Sequence, residues 1–394
     1  MPHQRPRHLL SLLDQRLRHF PIVGVLGARQ TGKSTLIREL LGRKRSLEYI
    51  TLDREEDRAE AIRSPSLFVQ ELESKGRKTV VIDEVQKAPV LFDTLKAEVD
   101  EDRRPGRFLI TGSTEFSKKS GIRESLTGRI ALTRLYPLNL AEIQESANAR
   151  FPLAALSPHS GSKEGNRDIK LWLNRGGMPG IFAVRDEASR TAQWDAWIET
   201  TCFRDLTQFD IRRFKPELAL RLFGAIARAE TPTRQQVAGM LGVLPRQIDS
   251  YLDALLALHV IYEIPPHPSG TGKAQYHLLD AGIARSLGAS ESRCLEIWFL
   301  NEVFSQFSYA GHSRPFVFHY LSSKHSKVNF VVEHKARSAA FLLLHEEAPR
   351  EYSLRAAASF CKKNPKIPVQ VLAPCLRSHR LEPGCAIHPW SAVI

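Results

Sequence analysis

Apolar and polar positions along the chain follow two regimes. From about residue 8 to residue 140, short β-branched runs ("PIVGVLG", "LEYITLD", "KTVVIDE", "RFLITGS", "IALTRLYPL") are separated by amphipathic segments. Such runs, bounded by turn residues and spaced by helical patterns, predict buried strands of a parallel sheet covered on both faces, an α/β domain. At Ser157 to Asp168, "SPHSGSKEGNRD", the pattern turns polar and rich in Gly and Ser, which predicts a surface loop or domain edge. From about residue 169 to 265 the pattern is mostly helical. Within it, Thr231 to Ile264 reads as a capping Thr, a helix, a turn at Leu241 to Pro245, a second helix with apolar Ile248, Leu252, Leu255 and Leu256, then a β-rich tail. That is the order of a winged helix-turn-helix, with "HPSGTGKAQYHLLD" as wing turn and strand. From about residue 288 a helix, "ESRCLEIWFLNEVFSQF", precedes the strands "RPFVFHYL", "KVNFVVEH", "AAFLLLH" and "PVQVLAP", a second α/β unit. The expected division is an α/β domain over 1–150, a helical and winged-helix domain over 151–287, and a second α/β domain over 288–394.

Composition narrows the class. A chain of 394 residues is too long for one core, and 42% hydrophobic with 25% charged residues excludes disorder as its overall state. Lys and Arg number 56 against 43 Asp and Glu, a net charge of +13. Such a field favours polyanions, nucleotides and nucleic acid among them, without identifying one. The five cysteines, Cys202, Cys294, Cys361, Cys375 and Cys385, are odd in number, far apart and contain no C-x-x-C pair, so reduced thiols are expected rather than a disulfide framework or a zinc site. The basic N-terminus has its apolar run broken by Asp14 and arginines before it reaches signal-peptide length. No stretch approaches the ~18 consecutive apolar residues of a membrane span. The expected place is the cytoplasm, off the membrane.

Candidate chemistry begins at "GVLGARQTGKSTLIREL". Its spacing is G-x-x-x-x-G-K-[ST], the Walker A pattern, with a strand before it and a helix after it. Gly27 and Gly32 permit the loop's unusual dihedrals, with Ala28, Arg29, Gln30 and Thr31 between them. Lys33 reaches the β/γ-phosphates as a point charge, Ser34 places its hydroxyl on Mg²⁺, and Thr35, with Ala28, Arg29, Gln30 and Thr31, belongs to the expected nucleotide-binding set. A Walker B acid is then needed at the end of a hydrophobic strand, and "TVVIDEVQKAP" supplies Asp83 for the metal side and Glu84 to activate water. The adjacent Glu favours ATP hydrolysis over transfer to a small-molecule acceptor. The next strand ends "RFLITGST", where Ser113, ahead of Thr111 and Thr114, is placed to reach the γ-phosphate or the attacking water; a plain turn is the alternative. Arg129, in "GIRESLTGRIALTRL", is placed to complete the site of a neighbouring subunit; a solvated arginine is the alternative.

Together "GARQTGKSTLIREL", "LDREEDRAEAIRSPSLFVQEL", "VVIDEVQKAP", "LITGSTEF", "ESLTGRI" and "LYPLNLAEI" resemble the prokaryotic AAA-type P-loop ATPases with an AAA_14 core and a C-terminal DUF4143 domain. "NRGGMPGIF", "TCFRDL", the winged-helix stretch and "KAQYHLLDAGIARSLG" follow the same order, so the resemblance covers nearly the whole chain. It implies a P-loop core of the additional-strand, catalytic-glutamate type, a winged helix and a restriction-endonuclease-like C-terminal module. Gly27, Gly32, Lys33, Ser34, Asp83 and Glu84 match its ATP site, which implies ATP and Mg²⁺ as cofactors. Ser113 stands at the sensor position and Arg129 where the family has its "GR", implying an arginine finger and a homo-oligomer. Arg204 in "FRDL" is a sensor candidate on the lid helices, with a salt bridge to Asp205 as the equal alternative.

The C-terminal module departs from the family pattern. The resemblance implies an Asp in an "E-V-D-F" strand, then "E-x-K" on the next strand, with an upstream Glu; the carboxylates would hold a divalent metal and the lysine orient water. Here Asn329 stands where Asp is expected, and "AAFLLLHEEAPR" lacks the lysine. Glu296 or Glu302 is the upstream acid. Glu333 and Lys335 spell E-x-K but lie too close to Asn329 to occupy the following strand. A degenerate nuclease fold is the expectation. DNA is a candidate partner, although Arg246, Gln247 and Ser250 on the presumed recognition helix face Asp249 and Asp253, thin electrostatics for a major groove. Three functions follow: an ATP hydrolase driving a rearrangement coupled to nucleic acid, a nucleotide-gated DNA-binding or signalling switch with slow turnover, and an ATP-regulated nuclease.

Overall fold

The structure, a computed structural model, describes residues 5–76, 78–114, 128–146, 151–156, 163–324, 326–346, 351–375, 377–382 and 384–393. Residues 115–127, which end "LITGSTEF" and begin "ESLTGRI", lie outside the described residues, as does the first half of the polar stretch expected at Ser157 to Asp168. Its second half is helical rather than a loop, because the helix Lys163–Arg175 starts there and buries Ile169, Trp172 and Leu173 at helical spacing. By packing the chain divides into two compact units, one of residues 7–136 with 257–259, the other of residues 1–6, 137–256 and 260–394.

The first unit is a five-stranded parallel sheet. Its strands are β1 (Ile22–Leu26), β2 (Leu47–Thr51), β3 (Thr79–Asp83), β4 (Phe108–Gly112) and β5 (Ile130–Arg134), in the order β2-β3-β4-β1-β5. Every residue of β1, β3 and β4 is buried, as continuous apolar runs require when helices cover both faces. One face packs Ile22, Val80, Ile82, Phe108 and Ile110 against Phe68, Leu72, Phe92 and Leu95 of the helices Pro65–Ser74 and Leu91–Glu101. Arg107, 7% exposed on its side chain, ties those two helices together: Nε and Nη2 donate to Glu73 at 2.6 and 2.7 Å, and Nη2 to Glu98 at 2.7 Å. The strand order matters most for function. Inserting β4 between β1 and β3 sets the ends of those two strands about 10 Å apart, two strand spacings.

The second unit begins with helices, including Glu187–Thr200, Pro216–Arg228, Arg234–Leu241 and Asp249–Ala257. The hairpin β6 (Ile261–Ile264) and β7 (Gln275–Leu278) follows, with Thr233 bridged to Gln275. In "NRGGMPGIF" the adjacent Gly176 and Gly177 are packing residues. Gly176 has φ 76°, and a Cβ there would stand 2.0 Å from Asp280 Oδ1. Asp280 accepts the amides of Gly177 and Gly282, both at 2.6 Å, and its burial pushes its pKa up to about 6 against those bonds.

The 19-residue helix Glu291–Tyr309, almost wholly buried, lies on one face of a six-stranded sheet. Its strands are β8 (Phe316–Leu321), β9 (Lys327–His334), β10 (Arg337–Leu343), β11 (Val369–Ala373), β12 (His379–Glu382) and β13 (Cys385–Pro389), ordered β12-β13-β11-β10-β9-β8. β8, β9 and β10 are an antiparallel meander; β11 runs parallel to β10 after the helix Glu351–Lys363, and β13 parallel to β11. Phe299 of the long helix stacks on Phe330 of β9, ring centroids 5.6 Å apart. Phe360 packs on the opposite side with Val331 and Val371. The pair β12 and β13, four and five residues long, was not legible as strands because polar and apolar positions are mixed over so short a run. No helix among the described residues is long and apolar enough to cross a membrane. Cys202 and Cys294 are buried, which pushes their thiols up to about 12 and about 11.

Candidate functional site

The phosphate loop leaves the carboxyl end of β1. The Gly27 amide donates to the Gly112 carbonyl at 3.3 Å, and a Cβ on Gly27 would stand 2.4 Å from the Leu135 carbonyl oxygen, so only glycine fits. Gln30 (φ 62°) and Gly32 (φ 93°) turn the chain into the helix that begins at Lys33 and passes into π-helical geometry over Leu36–Leu41. Ala28 and Thr31 are buried beneath the loop, whereas Gln30, Ser34 and Thr35 are exposed and Arg29 half-buried. Thr31 Oγ1 donates to the Ala28 carbonyl at 2.9 Å. The buried Lys33 curls inside, its Nζ donating to the carbonyls of Gly27 at 2.8 Å and Ala28 at 3.1 Å. Burial lowers its pKa, and the nearby Glu84 and Asp83 carboxylates work against that. Arg7, which sequence reasoning missed, braces the loop from outside by donating to the carbonyls of Thr31 and Tyr136, both at 2.6 Å.

Two strands over, β3 delivers the acids. Ser34 Oγ donates to Asp83 Oδ2 at 3.0 Å. Thr111 donates to Asp83 Oδ1, and the Tyr49 hydroxyl to Oδ2. Burial and the bond to Asp83 push the Tyr49 phenol above its ordinary pKa, so it remains a donor. Thr111 Oγ1 also accepts the Glu84 amide at 3.1 Å. Glu84 itself sits in the left-handed region (φ 58°, ψ 43°), a conformation that costs a non-glycine residue about 1 kcal/mol. That turn brings its carboxylate to Ser113, whose Oγ donates to Glu84 Oε2 at 2.8 Å. Gln86 donates to the same oxygen and to Ser113 Oγ, the latter at 3.1 Å. The structure therefore brings Lys33, Ser34, Asp83, Glu84 and Ser113 together beyond the carboxyl ends of the central strands and adds Tyr49, Thr111 and Gln86. Thr114 is buried and makes none of these contacts. The Ser34 hydroxyl and the Asp83 carboxylate are the hard oxygen donors that Mg²⁺ takes.

Arg129 is elsewhere. It immediately precedes β5, whose Ile130 pairs with Ile22 at the amino end of β1, about 16 Å of strand from the phosphate loop. Its guanidinium pairs bidentately with Asp100, Nε to Oδ1 at 2.7 Å and Nη2 to Oδ2 at 2.8 Å. Its guanidinium thus contacts no group of the acid cluster described above in the same chain. Arg204 lies in the π-helical turn Thr201–Asp205 and pairs with the buried Asp205 at 3.3 Å.

In the second unit, Glu296 and Glu302 occupy different surroundings on one helix. Glu296, buried, accepts from Asn329 Nδ2 at 2.8 Å and Lys327 Nζ at 2.7 Å through Oε1, and from Arg293 through Oε2. Burial works to raise its pKa, but Lys327, Arg293 and His277 more than offset that and hold the carboxyl below the usual range. Asn329 completes its valence by accepting the Leu343 amide at 2.9 Å. Glu302 instead accepts the Leu140 amide at 2.7 Å, so of the two glutamates it is Glu296 that lies beside Asn329. Glu333 shares β9 with Asn329 and Lys335 lies in the turn after it, neither on β10. Among the described residues no group of three or more His, Cys, Asp or Glu could hold a metal ion.

Comparison with known proteins bears on both units. Residues 19–144 match the family model described as AAA domain, AAA_14. Residues 166–293 match a domain of unknown function, DUF8612; the resemblance implied DUF4143, and the matching model is a different one. The uncharacterized proteins Rv2008c of Mycobacterium tuberculosis and Mb2031c of Mycobacterium bovis are each 30% identical over 299 residues, 74% of this chain. The chain covers 61% of the length of those relatives. Among solved structures, the Walker-type ATPase PABY2304 of Pyrococcus abyssi superposes with a TM-score of 0.46 at 17% identity, over 72% of this chain and 99% of that one. AMPPCP-bound DnaA from Aquifex aeolicus gives 0.27 at 14% identity, over 62% and 86%. The matched family model, the inserted strand β4 and the phosphate loop facing an Asp-Glu pair together support an AAA-type ATPase domain in residues 19–144.

Proposed function

We propose that the chain binds ATP with Mg²⁺ and hydrolyses it, the cycle driving a rearrangement coupled to nucleic-acid binding. The observation that carries the ATPase reading is the 3.0 Å contact between Ser34 and Asp83 across the inserted strand, beside the buried Lys33 and the Glu84–Ser113 pair. Lys33 exchanges the carbonyls of Gly27 and Ala28 for phosphate oxygens, a stronger partner for a desolvated ammonium. Ser34 and Asp83 would hold Mg²⁺, which when bound would supply positive charge against the triphosphate. Thr111 and Tyr49 fix the orientation of Asp83. Glu84 takes a proton from the attacking water, and Ser113 aims its carboxylate. Arg129, remote from its own loop, acts on the site of a neighbouring copy after leaving Asp100. Glu84→Gln tests the reading: phosphate release should fall by about 10²–10⁴-fold with ATP affinity kept. Unchanged turnover would remove Glu84 from the chemistry.

A second reading, a slow-turnover nucleotide switch, draws on one observation. Glu84 Oε2 is engaged by both Ser113 and Gln86, so water activation waits for that pair to release. Steady-state turnover that stays slow with and without DNA favours it. For the second unit we take the winged-helix reading, supported by the helices Arg234–Leu241 and Asp249–Ala257, the β6–β7 hairpin and the Thr233–Gln275 bridge. The C-terminal sheet we take as nuclease-like and inactive. Its helix, antiparallel meander, helix and parallel strand support the first part, and the saturation of Glu296 by Lys327, Arg293 and Asn329 the second. DNA cleavage with Mg²⁺ or Mn²⁺ that Glu296→Ala abolishes would contradict it.

A further inference from the structure

The winged-helix stretch is poor in net charge as a sequence: residues 201 to 264 hold eight Lys and Arg against seven Asp and Glu. Folding separates the two signs. Arg212, Arg213, Lys215, Arg221 and Arg246 line one concavity of about 750 Å³, with Glu217 as its single acid. Asp249, which by sequence opposes Arg246, is taken by Arg234 at 2.5 Å, and Asp205 by Arg204 at 3.3 Å. Arg212, Arg213, Lys215 and Arg246 are exposed and have no ion-pair partner among the described residues. The concavity has a fixed frame. The Lys215 amide donates to the Tyr251 hydroxyl at 2.7 Å, and Phe214 stacks on the Tyr251 ring at 5.7 Å. Arg221 is held by the Leu241 carbonyl at 2.9 Å. The chain before one helix is thereby fastened to the first turn of another, and cations from both converge on one space.

We propose that this concavity is a docking surface for the phosphate backbone of duplex DNA. It deepens the nucleic-acid coupling proposed above and rests on that reading. Several unpaired guanidinium groups in one concave space suit phosphate oxygens, which arginine meets through two parallel N–H donors. Gln247 and Ser250, amide and hydroxyl groups without charge, line the same concavity at the start of the helix Asp249–Ala257. In a helix-turn-helix that is where base edges are met while flanking cations hold the backbone, an arrangement made for a duplex groove.

The test is fluorescence anisotropy of a short labelled duplex with the full chain, without nucleotide, across a range of salt concentrations. Five engaged cations predict a slope of log affinity against log salt of about −4.5. Arg212→Ala/Arg213→Ala/Arg246→Ala should make it shallower by about 3 and weaken binding more than about tenfold at low salt. The triple Arg→Lys variant, which keeps the charges, should restore most of the slope. Arg355→Ala/Lys362→Ala, in a separate basic concavity, should leave it unchanged. An unchanged slope in the triple Ala variant overturns the proposal, as does equal loss in the control variant. Tighter binding of single-stranded RNA or of an acidic peptide than of the duplex also overturns it. ATP hydrolysis measured without DNA separates the two failures: the triple Ala variant should keep the wild-type rate, and a wild-type chain that does not hydrolyse ATP at all leaves the DNA slope standing as its own result.

Discussion

Replacing Glu302 by glutamine should change how the stability of the second unit depends on pH. The side chain is 1% exposed; Oε1 accepts the Leu140 amide at 2.7 Å and Oε2 accepts from Gln306 at 3.1 Å. Burial pushes its pKa from the ordinary 4.5 up to about 7, the two hydrogen bonds opposing that and the nearby Glu142 adding to it. Between those values the folded chain keeps a proton that the unfolded chain has released, so stability falls as pH rises and the loss is complete above about 7. At about 1.4 kcal/mol per unit the displacement amounts to about 3 kcal/mol. The neutral amide carries no such dependence. The wild type should therefore lose about 3 kcal/mol relative to Glu302→Gln between pH 4.5 and about 7, while the titration of Asp280, common to both, cancels. Urea unfolding followed by tryptophan fluorescence reads this unit, because Trp172, Trp194, Trp197, Trp298 and Trp390 all lie in it and are buried. Parallel pH curves for the two proteins would refute the reasoning. Glu302 would then be ionised in the fold and again a candidate for holding a metal.

Other substitutions probe the first unit. Gly27→Ala forces a Cβ to within 2.4 Å of the Leu135 carbonyl, and calorimetry should show ATP affinity lowered more than about tenfold; an unaltered affinity would mean that the loop does not bind phosphate in this shape. Ser113→Ala removes a donor to the Glu84 carboxylate and should lower kcat by roughly tenfold to a hundredfold with KM little changed, whereas a purely raised KM would place Ser113 in binding instead. Arg107→Ala strands the partly exposed Glu73 and Glu98 carboxylates and should cost about 2 kcal/mol in denaturant unfolding of the first unit; no change would make the cluster ornamental. Mixing Arg129→Ala with Glu84→Gln copies should regain ATPase activity if the arginine acts between copies, and a persistently inactive mixture counts against that role.

Much of the first unit was legible because its signals are local. Strands buried on both faces must be continuous apolar runs, and the five quoted runs became β1 to β5. The phosphate loop is one short segment, and Asp83 and Glu84 are adjacent, so spacing alone placed them at strand ends. Tyr49 and Gln86 were not visible. Tyr49 reaches Asp83 only because β2 pairs with β3, a neighbour relation that no window of sequence contains. Gln86 reaches Ser113 only through the left-handed turn at Glu84. The choice between Glu296 and Glu302 stayed open for a similar reason: both lie on one helix with apolar residues all round it, so periodicity assigns no face.

The sequence by itself determined the phosphate loop, the strand acids and the five strands of the first unit, all set by residues close together in the chain. Tertiary structure alone decided which side chains meet. It paired Glu296 with Lys327 and Asn329, 31 and 33 residues away, and set Arg129 at the far end of the sheet from the loop. It also gathered Arg212, Arg213, Lys215, Arg221 and Arg246 into one concavity while Arg234 took Asp249. The physical reason is range: backbone preference and hydrophobic period act over a few residues, whereas an electrostatic field depends on distance in space, which the packing of helices and the order of strands create.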